Sequence, residues 1–218
     1  MEQFKVRASS SGKIMGVRGL GKTGEDVVKE WKIEQVYGRR KEFSNKYTDK
    51  GNIMEDDAID FISEHLGYGF LSKNEKYFSN DYFTGTPDVI CSDHIIDVKN
   101  SFDPFTFPFF DKECPNKDYY YQGQVYMDLV GLDKYKLVYT LMDTPINIIE
   151  RESRNYCFKN GYDLDDMDIF LDFQEKMTYE DIPIENRYKV FEFKKDENVI
   201  NEIKKRVLDC REYLSKII

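Results

Sequence analysis

Apolar residues recur at helical spacing in several parts of the chain. Between residues 52 and 66, the positions Glu55, Ile59, Ile62 and Leu66 follow the i, i+4, i+7, i+11 spacing of one helix face, which predicts a helix over Asn52–Leu66. Composition and spacing predict further helices over Gly24–Val36, Tyr119–Val130, most of Ile146–Glu180 and Glu197–Ser215, and a short helix that begins near Gly12 and is capped by Ser9–Ser11.

Short apolar runs between these helices predict β-strands. The runs are Tyr77–Phe83, Val89–Cys91, His94–Val98, Lys136–Met142 and Tyr188–Phe193. A small mixed sheet flanked by helices places the chain in the α/β class. Because its 218 residues contain no internal repeat and no Pro/Ser-rich linker, we expect a single domain over residues 1–218, with residues 146–180 as a helical insertion.

The polar pair Ser92-Asp93, between two of these runs, predicts the tight turn of a hairpin. This turn places Asp88 directly opposite Asp97. Successive strand side chains alternate between faces, so Asp97 and Lys99 share one face of the sheet. Two like charges at opposed positions, roughly 5 Å apart, destabilise a sheet, whereas a divalent cation between them is attracted to both. The pattern therefore predicts a metal site with a lysine beside it.

Composition excludes several classes of protein. No run of about 18 apolar residues is present, so no membrane span is expected, and the start of the chain lacks the apolar stretch of a signal peptide. The cysteines form no Cys-x-x-Cys pair, which argues against a zinc site, an iron–sulfur cluster or a disulfide framework and fits the reducing cytoplasm. They are Cys91, Cys114, Cys157 and Cys210.

The net charge of −9 is unevenly distributed along the chain. Through Asn52 there are 12 Lys and Arg against 7 Asp and Glu, and the remainder has 20 against 34. The basic first quarter can contact phosphates, although a solvated charged surface explains the pattern equally well. A single subunit of this net charge would hold a polyanion weakly at physiological salt, so for a polyanionic ligand we expect a homo-oligomer closed around it.

Two predicted helices carry polar residues on their apolar faces. An inward-facing carboxylate at Glu55 is costly unless it meets a cation or hydrogen-bond donors; the alternative is an acid at a helix start, favoured by the helix dipole. Gln122 and Tyr126 are i, i+4 neighbours on the helix predicted over Tyr119–Val130. The Gln122 amide can orient a water or a phosphate oxygen, or it can be a satisfied surface group beside a core tyrosine.

In chain order, these residues fall into four short blocks. The blocks are Lys50–Ala58 with its Gly-x-x-x-Glu spacing, Thr86-Pro-Asp88, Ile96-Asp97-Val98-Lys99 and Tyr121-Gln122-Gly-Gln124. Each block alone is a weak pattern, but the four in this order resemble the PD-(D/E)xK nuclease superfamily. Within it, they are similar to the phage lambda exonuclease-like family of recombination exonucleases. The resemblance covers roughly Lys50 to Val130.

The resemblance implies a PD-(D/E)xK restriction-endonuclease-like core and a metal-dependent DNA exonuclease. The implied ligands of Mg²⁺ or Mn²⁺ are Asp88, Asp97, the Val98 carbonyl and Glu55, hard oxygen donors that suit these ions. Lys99 is implied as the residue that positions the attacking water and stabilises developing charge, and Gln122 as the residue that orients Lys99 or the water. An endonuclease of the same superfamily is the nearest alternative.

The resemblance also implies linear double-stranded DNA as the substrate and a phage single-strand annealing protein as a partner. The expected DNA-binding residues are Arg7, Ser9, Ser10, Lys13, Arg18, Lys22 and Tyr126. Two positions depart from the family pattern. Asp97 replaces the commoner glutamate, and Glu2 stands in the region where the family has an arginine that helps read a 5′ phosphate, which leaves the polarity of digestion open.

A competing motif lies near the start of the chain. Gly16–Thr23 matches the P-loop pattern G-x-x-x-x-G-K-[ST], and Leu137–Asp143 can act as its acidic partner strand, which would make the protein an NTPase. A P-loop must follow a buried strand, however, and Arg7–Met15 is polar and serine-rich. A basic glycine-rich loop that contacts DNA is the other interpretation of the same residues.

Two further interpretations stay open. The chain can be an inactive nuclease fold that only binds DNA, although all the acidic groups and the lysine are present together. The aromatic run Phe102–Phe110, with Pro104 and Pro108, can form a stacking surface for DNA at a strand end, or it can pack in the core or against another copy of the chain.

Overall fold

The computed structural model describes residues 3–41 and 45–217 of the chain. The strands are β1 (Val6–Arg7), β2 (Phe78–Ser79), β3 (Phe83–Gly85), β4 (Val89–Ile90), β5 (Ile95–Asn100), β6 (Lys134–Thr140) and β7 (Tyr188–Lys194). The α-helices are α1 (Gly21–Tyr37), α2 (Lys46–Ile53), α3 (Glu55–His65), α4 (Lys117–Val130), α5 (Ile146–Asn160), α6 (Met167–Met177) and α7 (Glu197–Lys216). Short 3₁₀ turns cover Ala8–Ser10, Gly12–Ile14 and Ile184–Asn186.

The strands form two small sheets. The larger has the order β4-β5-β6-β7, in which β5 and β6 are parallel and the outer pairs are antiparallel. The smaller has the order β1-β3-β2. This mixed sheet with flanking helices confirms the predicted fold class.

The hairpin register is the one that the sequence predicts. Val89 pairs with Ile96 and Ile90 with Ile95, and the Cys91 amide donates to the His94 carbonyl at 2.9 Å, which closes the turn. One step further along this ladder, Asp88 stands opposite Asp97. The two carboxylates therefore meet because a two-residue turn fixes which side chains are opposed.

The larger sheet is covered by helices on both faces. On one face, Ile96 and Val98 pack in a cluster with Ala58 and Ile62 of α3. On the other face, the side chains from β5 and β6 pack in the main core with α4 and α7. Asp97 and Lys99 point to this second face, between the sheet and α4.

Close approach of α4 to the sheet depends on a glycine. A Cβ atom added at Gly123 would lie 2.4 Å from Cδ1 of Tyr135, which is fully buried in β6. The absence of a side chain at this position lets α4 lie low on the sheet. The preceding residue, Gln122, is thereby held above β5.

Two predicted elements are divided in the structure. Tyr77–Phe83 is not one strand, because Asn80 Oδ1 accepts hydrogen bonds from the amides of Tyr82 and Phe83 and turns the chain between β2 and β3. The predicted helix Asn52–Leu66 is also broken: α2 ends at Ile53 and α3 begins at Glu55.

Helices α5 and α6 lie between β6 and β7 in the chain, within residues 146–180, whose status as an insertion stays a prediction. They pack on each other, and Ile148, Ile149 and Met177 form a small apolar cluster with Phe102. Whether the chain is a single domain stays a prediction. In the described parts of the chain, no helix is both long and apolar enough to cross a membrane.

Candidate active site

An open cleft of about 680 Å³ lies where β5 ends. Its wall includes Glu55, Asp88, Val98, Lys99 and Gln122. These residues come from α3, the start of β4, β5 and α4. All four blocks of the sequence pattern therefore meet at one place.

The two aspartates and the lysine form a tight group. Asp97 is completely buried, and the Lys99 ammonium lies 2.5 Å from its Oδ2. Asp88 accepts a hydrogen bond from the Val98 amide through Oδ2, at 2.7 Å. The backbone of the second strand thus fixes the carboxylate of the first.

Burial and mutual repulsion dominate the electrostatics of this group. Burial raises the pKa of Asp88 well above its ordinary value, and the charge of Asp97 raises it further. For Lys99, burial alone would lower the pKa, but the adjacent Asp97 and Asp88 carboxylates outweigh burial and raise it. Lys99 is consequently a persistent cation and a hydrogen-bond donor.

Gln122 lies above the acids. Its Nε2 donates to Asp97 Oδ1 at 3.4 Å and to the Tyr126 hydroxyl at 3.1 Å. Tyr126, expected to bind DNA, is only 5% exposed, and its hydroxyl donates to the Thr86 carbonyl at 3.2 Å. This expectation is therefore corrected: Tyr126 supports Gln122 and the segment before Asp88, because its ring is packed in the core.

Glu55 is the first residue of α3 and lies on the cleft wall. Its carboxylate is 3.3 Å from the Lys73 ammonium, which is also paired with Asp56 at 2.7 Å. Both sequence interpretations hold in part, since Glu55 starts a helix and also finds a cation. Over the described ranges 3–41 and 45–217, no three His, Cys, Asp or Glu side chains gather into a metal-binding group. The predicted participation of Glu55 in metal binding stays a prediction.

The donor set fits a hard divalent cation. Asp88 and Asp97 supply carboxylate oxygens on the same side of the hairpin, next to the Val98 carbonyl. Asp97 Oδ2 is buried and accepts no hydrogen bond of good geometry from the described residues, although Lys99 is close to it. The single positive charge of Lys99 faces two carboxyl groups, so a further cation would still be attracted to them. Mg²⁺ and Mn²⁺ favour oxygen ligands of this kind.

Two residues near the site were missed from the sequence. The Lys99 ammonium lies 5.2 Å from the ring centroid of Tyr119, which lines the cleft. Tyr119 precedes Gln122 by three residues, so the helical spacing was a usable signal. Lys73 had no such signal, because it lies outside the helices and strands. It comes close to Glu55 only when the chain is folded.

The predicted DNA-binding residues Arg7, Ser9 and Ser10 lie around the first 3₁₀ turn. Ser9 is exposed and lines the active-site cleft. Ser10 lies instead beside Arg7, in a small pocket of about 70 Å³. Arg7 donates to both carboxylate oxygens of Glu34, at 2.7 and 2.5 Å. Of the three, only Ser9 reaches the cleft, and Glu2 lies outside the described residues.

Lys13, Arg18 and Lys22, also predicted to bind DNA, are all exposed. Lys22 is paired with Asp26 at 2.6 Å, whereas Lys13 and Arg18 have no ion-pair partner in the described part of the chain. The described residues directly before Gly16–Thr23 form 3₁₀ turns, and the preceding strand, β1, already ends at Arg7. The P-loop interpretation is thus wrong, because the strand that such a loop requires is absent from residues 8–20.

Solved structures of nucleases share this fold. A phage-related exonuclease from Haemophilus somnus 129PT is 28% identical, with a TM-score of 0.81 over 99% of this chain and 96% of that chain. An alkaline exonuclease from Laribacter hongkongensis is 15% identical, with a TM-score of 0.68 over 97% of this chain and 88% of that one. Its complex with dAMP aligns with a TM-score of 0.65 at 17% identity, over the same shares of the two chains.

No protein-family model matches the chain, and no curated protein matches it by sequence. The resemblance therefore rests on the fold and on the meeting of the four blocks. Asp88 after Pro87, and Asp97-Val98-Lys99 on the paired strand, stand in the order that the PD-(D/E)xK pattern names. The shared fold confirms the predicted resemblance to phage lambda exonuclease-like proteins of the PD-(D/E)xK superfamily.

Proposed function

We propose that this protein is a metal-dependent DNA exonuclease that hydrolyses phosphodiester bonds. The observation that carries the proposal is the group formed by Asp88, Asp97 and Lys99 on one face of the hairpin. Asp88 and Lys99 line the open cleft, and Asp97 is buried beside Lys99. The fold is shared over nearly its whole length with a 28% identical phage-related exonuclease, which supports the same conclusion.

Asp88, Asp97 and the Val98 carbonyl would hold Mg²⁺ or Mn²⁺, with Glu55 assisting from the cleft wall. When bound, the ion would supply Lewis-acid polarisation of the scissile phosphate. In the metal-free protein, the Asp97 and Asp88 carboxylates raise the pKa of Lys99, which favours its protonated, hydrogen-bond-donating form. It can therefore orient the attacking water and stabilise charge that develops on the phosphate.

Gln122 and Tyr126 hold the side chains of the acidic group in position. Gln122 joins Asp97 to Tyr126, and Tyr126 joins both to the segment just before Asp88. The geometry of the two acids is thereby coupled to α4. Among the described residues that line the cleft, no base-reading element stands out, which suits sequence-independent cleavage through backbone contacts.

Linear double-stranded DNA is the proposed substrate, with Ser9, Lys13 and Arg18 as the exposed residues that contact it. The proposal extends to a homo-oligomer and to a phage-type single-strand annealing protein as partner. The cytoplasm is the proposed location, since all four cysteines are unpaired thiols.

The test is digestion of end-labelled linear DNA and closed-circular DNA with Mg²⁺, Mn²⁺ or EDTA. We expect loss of the linear substrate alone, and only with a metal ion. Cleavage of the circle would identify an endonuclease, and no cleavage with either metal would favour a DNA-binding module. Lys99→Ala should abolish cleavage, while Lys134→Ala serves as the matched control because Lys134 is paired with Asp93 at the far end of the hairpin.

A further inference from the structure

Phe105 stands apart from the other aromatic residues of its segment. Phe102 and Phe107 are buried at 7% and 5% exposure, whereas the Phe105 ring is 96% exposed. Full exposure of a phenyl ring leaves apolar area in water and contributes nothing to the stability of the monomer. A single exposed apolar residue needs no explanation by itself, so its setting decides the matter.

The turn that carries Phe105 is held rigidly. The Asp103 amide donates to Thr106 Oγ1 at 3.1 Å, and the Thr106 amide donates back to Asp103 Oδ1 at 2.8 Å. Thr106 Oγ1 also donates to the Asp103 carbonyl at 2.9 Å, and Ser101 Oγ donates to the Thr106 carbonyl at 3.3 Å. These bonds fix the backbone on both sides of Phe105, which therefore projects from a preformed support.

Contacts of the residues that flank Phe105 also hold the turn in place. The Phe102 carbonyl accepts hydrogen bonds from the Lys50 ammonium at 2.9 Å and from the Tyr179 hydroxyl at 3.1 Å. The Phe102 ring packs edge-on against Tyr47, and Phe107 packs edge-on against Phe109. The position of the turn is thus set by contacts that do not involve Phe105.

The turn forms the rim of the active-site cleft. Ser101, Phe102 and Thr106 line the same cleft as Asp88 and Lys99. A strand that enters the cleft across this rim would bring a base beside the rigid turn. Aromatic side chains at such places stack on bases without regard to sequence, since every base has an aromatic face.

We infer that Phe105 is a stacking platform for one base near the end of the DNA strand that enters the cleft. This inference rests on the proposed nuclease function and adds the binding site of a particular nucleotide to it. The preformed turn lets the ring bind without the cost of ordering a loop. Phe110 is equally exposed, at 96%, but its neighbours do not line the cleft, so it is a matched control.

The test measures binding of full-length protein to end-labelled DNA in EDTA, where no cleavage is required. Each DNA carries one abasic nucleotide at the first, second, third or fourth position from the end, in either strand. At one position, the missing base should weaken wild-type binding about 5- to 150-fold. Phe105→Ala should bind intact DNA more weakly than the wild type by a similar factor. Removing the base at that position should not weaken the binding of this variant further. Phe105→Trp should bind at least as tightly as the wild type.

Phe110→Ala should bind like the wild type, and all variants should keep the wild-type melting temperature because both rings are outside the core. Equal losses at every abasic position, or equal binding by Phe105→Ala and wild type, would overturn the inference while leaving the nuclease proposal intact. A change of oligomeric mass in Phe105→Ala would overturn it too, by showing that the ring contacts another copy. If the wild type neither binds nor cleaves DNA, both proposals fail together.

Discussion

Replacing Lys50 by methionine should stabilise this protein near neutral pH. Lys50 is completely buried, and within residues 3–41 and 45–217 its ammonium donates to one acceptor, the Phe102 carbonyl. The rings of Phe102 and Tyr179 lie 5.8 and 5.1 Å from the ammonium, and no carboxylate forms an ion pair with it in the described part of the chain. Methionine has a similar length, and the Tyr179 hydroxyl would still satisfy the Phe102 carbonyl.

The magnitude follows from the pKa of the buried amine. Burial lowers the pKa of Lys50 from 10.5 to about 7, even though Asp143 and Asp103 oppose the shift. The unfolded chain then binds this proton more tightly than the folded protein, so stability is lowest below pH 7 and rises with pH up to about 10.5. For these two pKa values, Lys50 makes the free energy of unfolding about 3 kcal/mol smaller at pH 6 than at pH 9.

Urea denaturation at pH 6, 7.5 and 9 in EDTA would measure this effect. The stability advantage of Lys50→Met over the wild type should be largest at pH 6 and should shrink by about 3 kcal/mol at pH 9. Taking the difference between the two proteins removes the contributions of other titrating groups, including Asp88. Lys13→Met changes an exposed site, so its free energy of unfolding should vary with pH in the same way as that of the wild type. Parallel curves for Lys50→Met, or a variant less stable than the wild type at pH 6, would refute the reasoning.

Four further outcomes are expected at and near the cleft. Lys99→Ala should bind DNA within a few-fold of the wild type in a gel-shift assay but lose cleavage, and residual cutting at the wild-type rate would remove Lys99 from the mechanism. Asp88→Asn should raise the stability of the metal-free protein by up to about 1 kcal/mol, because the repulsion from Asp97 disappears, while abolishing cleavage; a lower melting temperature in EDTA would contradict this. Gln122→Leu should slow cleavage about tenfold at saturating DNA through loss of its bond to Asp97, and an unchanged rate would count against that role. Lys22→Ala should leave cleavage and its independence of ATP unchanged, and nucleotide binding that depends on Lys22 would revive the NTPase interpretation.

The active-site geometry was predictable because it depends on local rules. A two-residue turn fixes the hairpin register, and alternation along β5 then puts Asp97 and Lys99 on one face. The helix carrying Gln122 was predicted to within two residues of its true start, since its apolar spacing is regular. Predicting these features requires only the turn residues and the periodicity of the strand and the helix.

The features that were missed depend on contacts between distant parts of the chain. The burial of Lys50 is set by Phe102 and Tyr179, which are 52 and 129 positions further along. No proline marks the break between α2 and α3. Because the helical spacing of apolar residues continues through it, the sequence predicts one helix. The Asn80 turn has a visible signal, an Asn-Asp pair within an aromatic run, but the β-propensity of the surrounding aromatic residues masks it.

The tight turn of the hairpin also restricts how chains with this site can diverge in length. Because faces alternate at every residue, inserting one residue in β5 ahead of Asp97 would point that carboxylate toward α3 and bring an apolar side chain into the cleft. Only insertions or deletions of an even number of residues keep the two acids on the same face of the sheet. The segment joining α5 to α6 carries no such restriction, so variation in chain length should collect there and be absent from the hairpin.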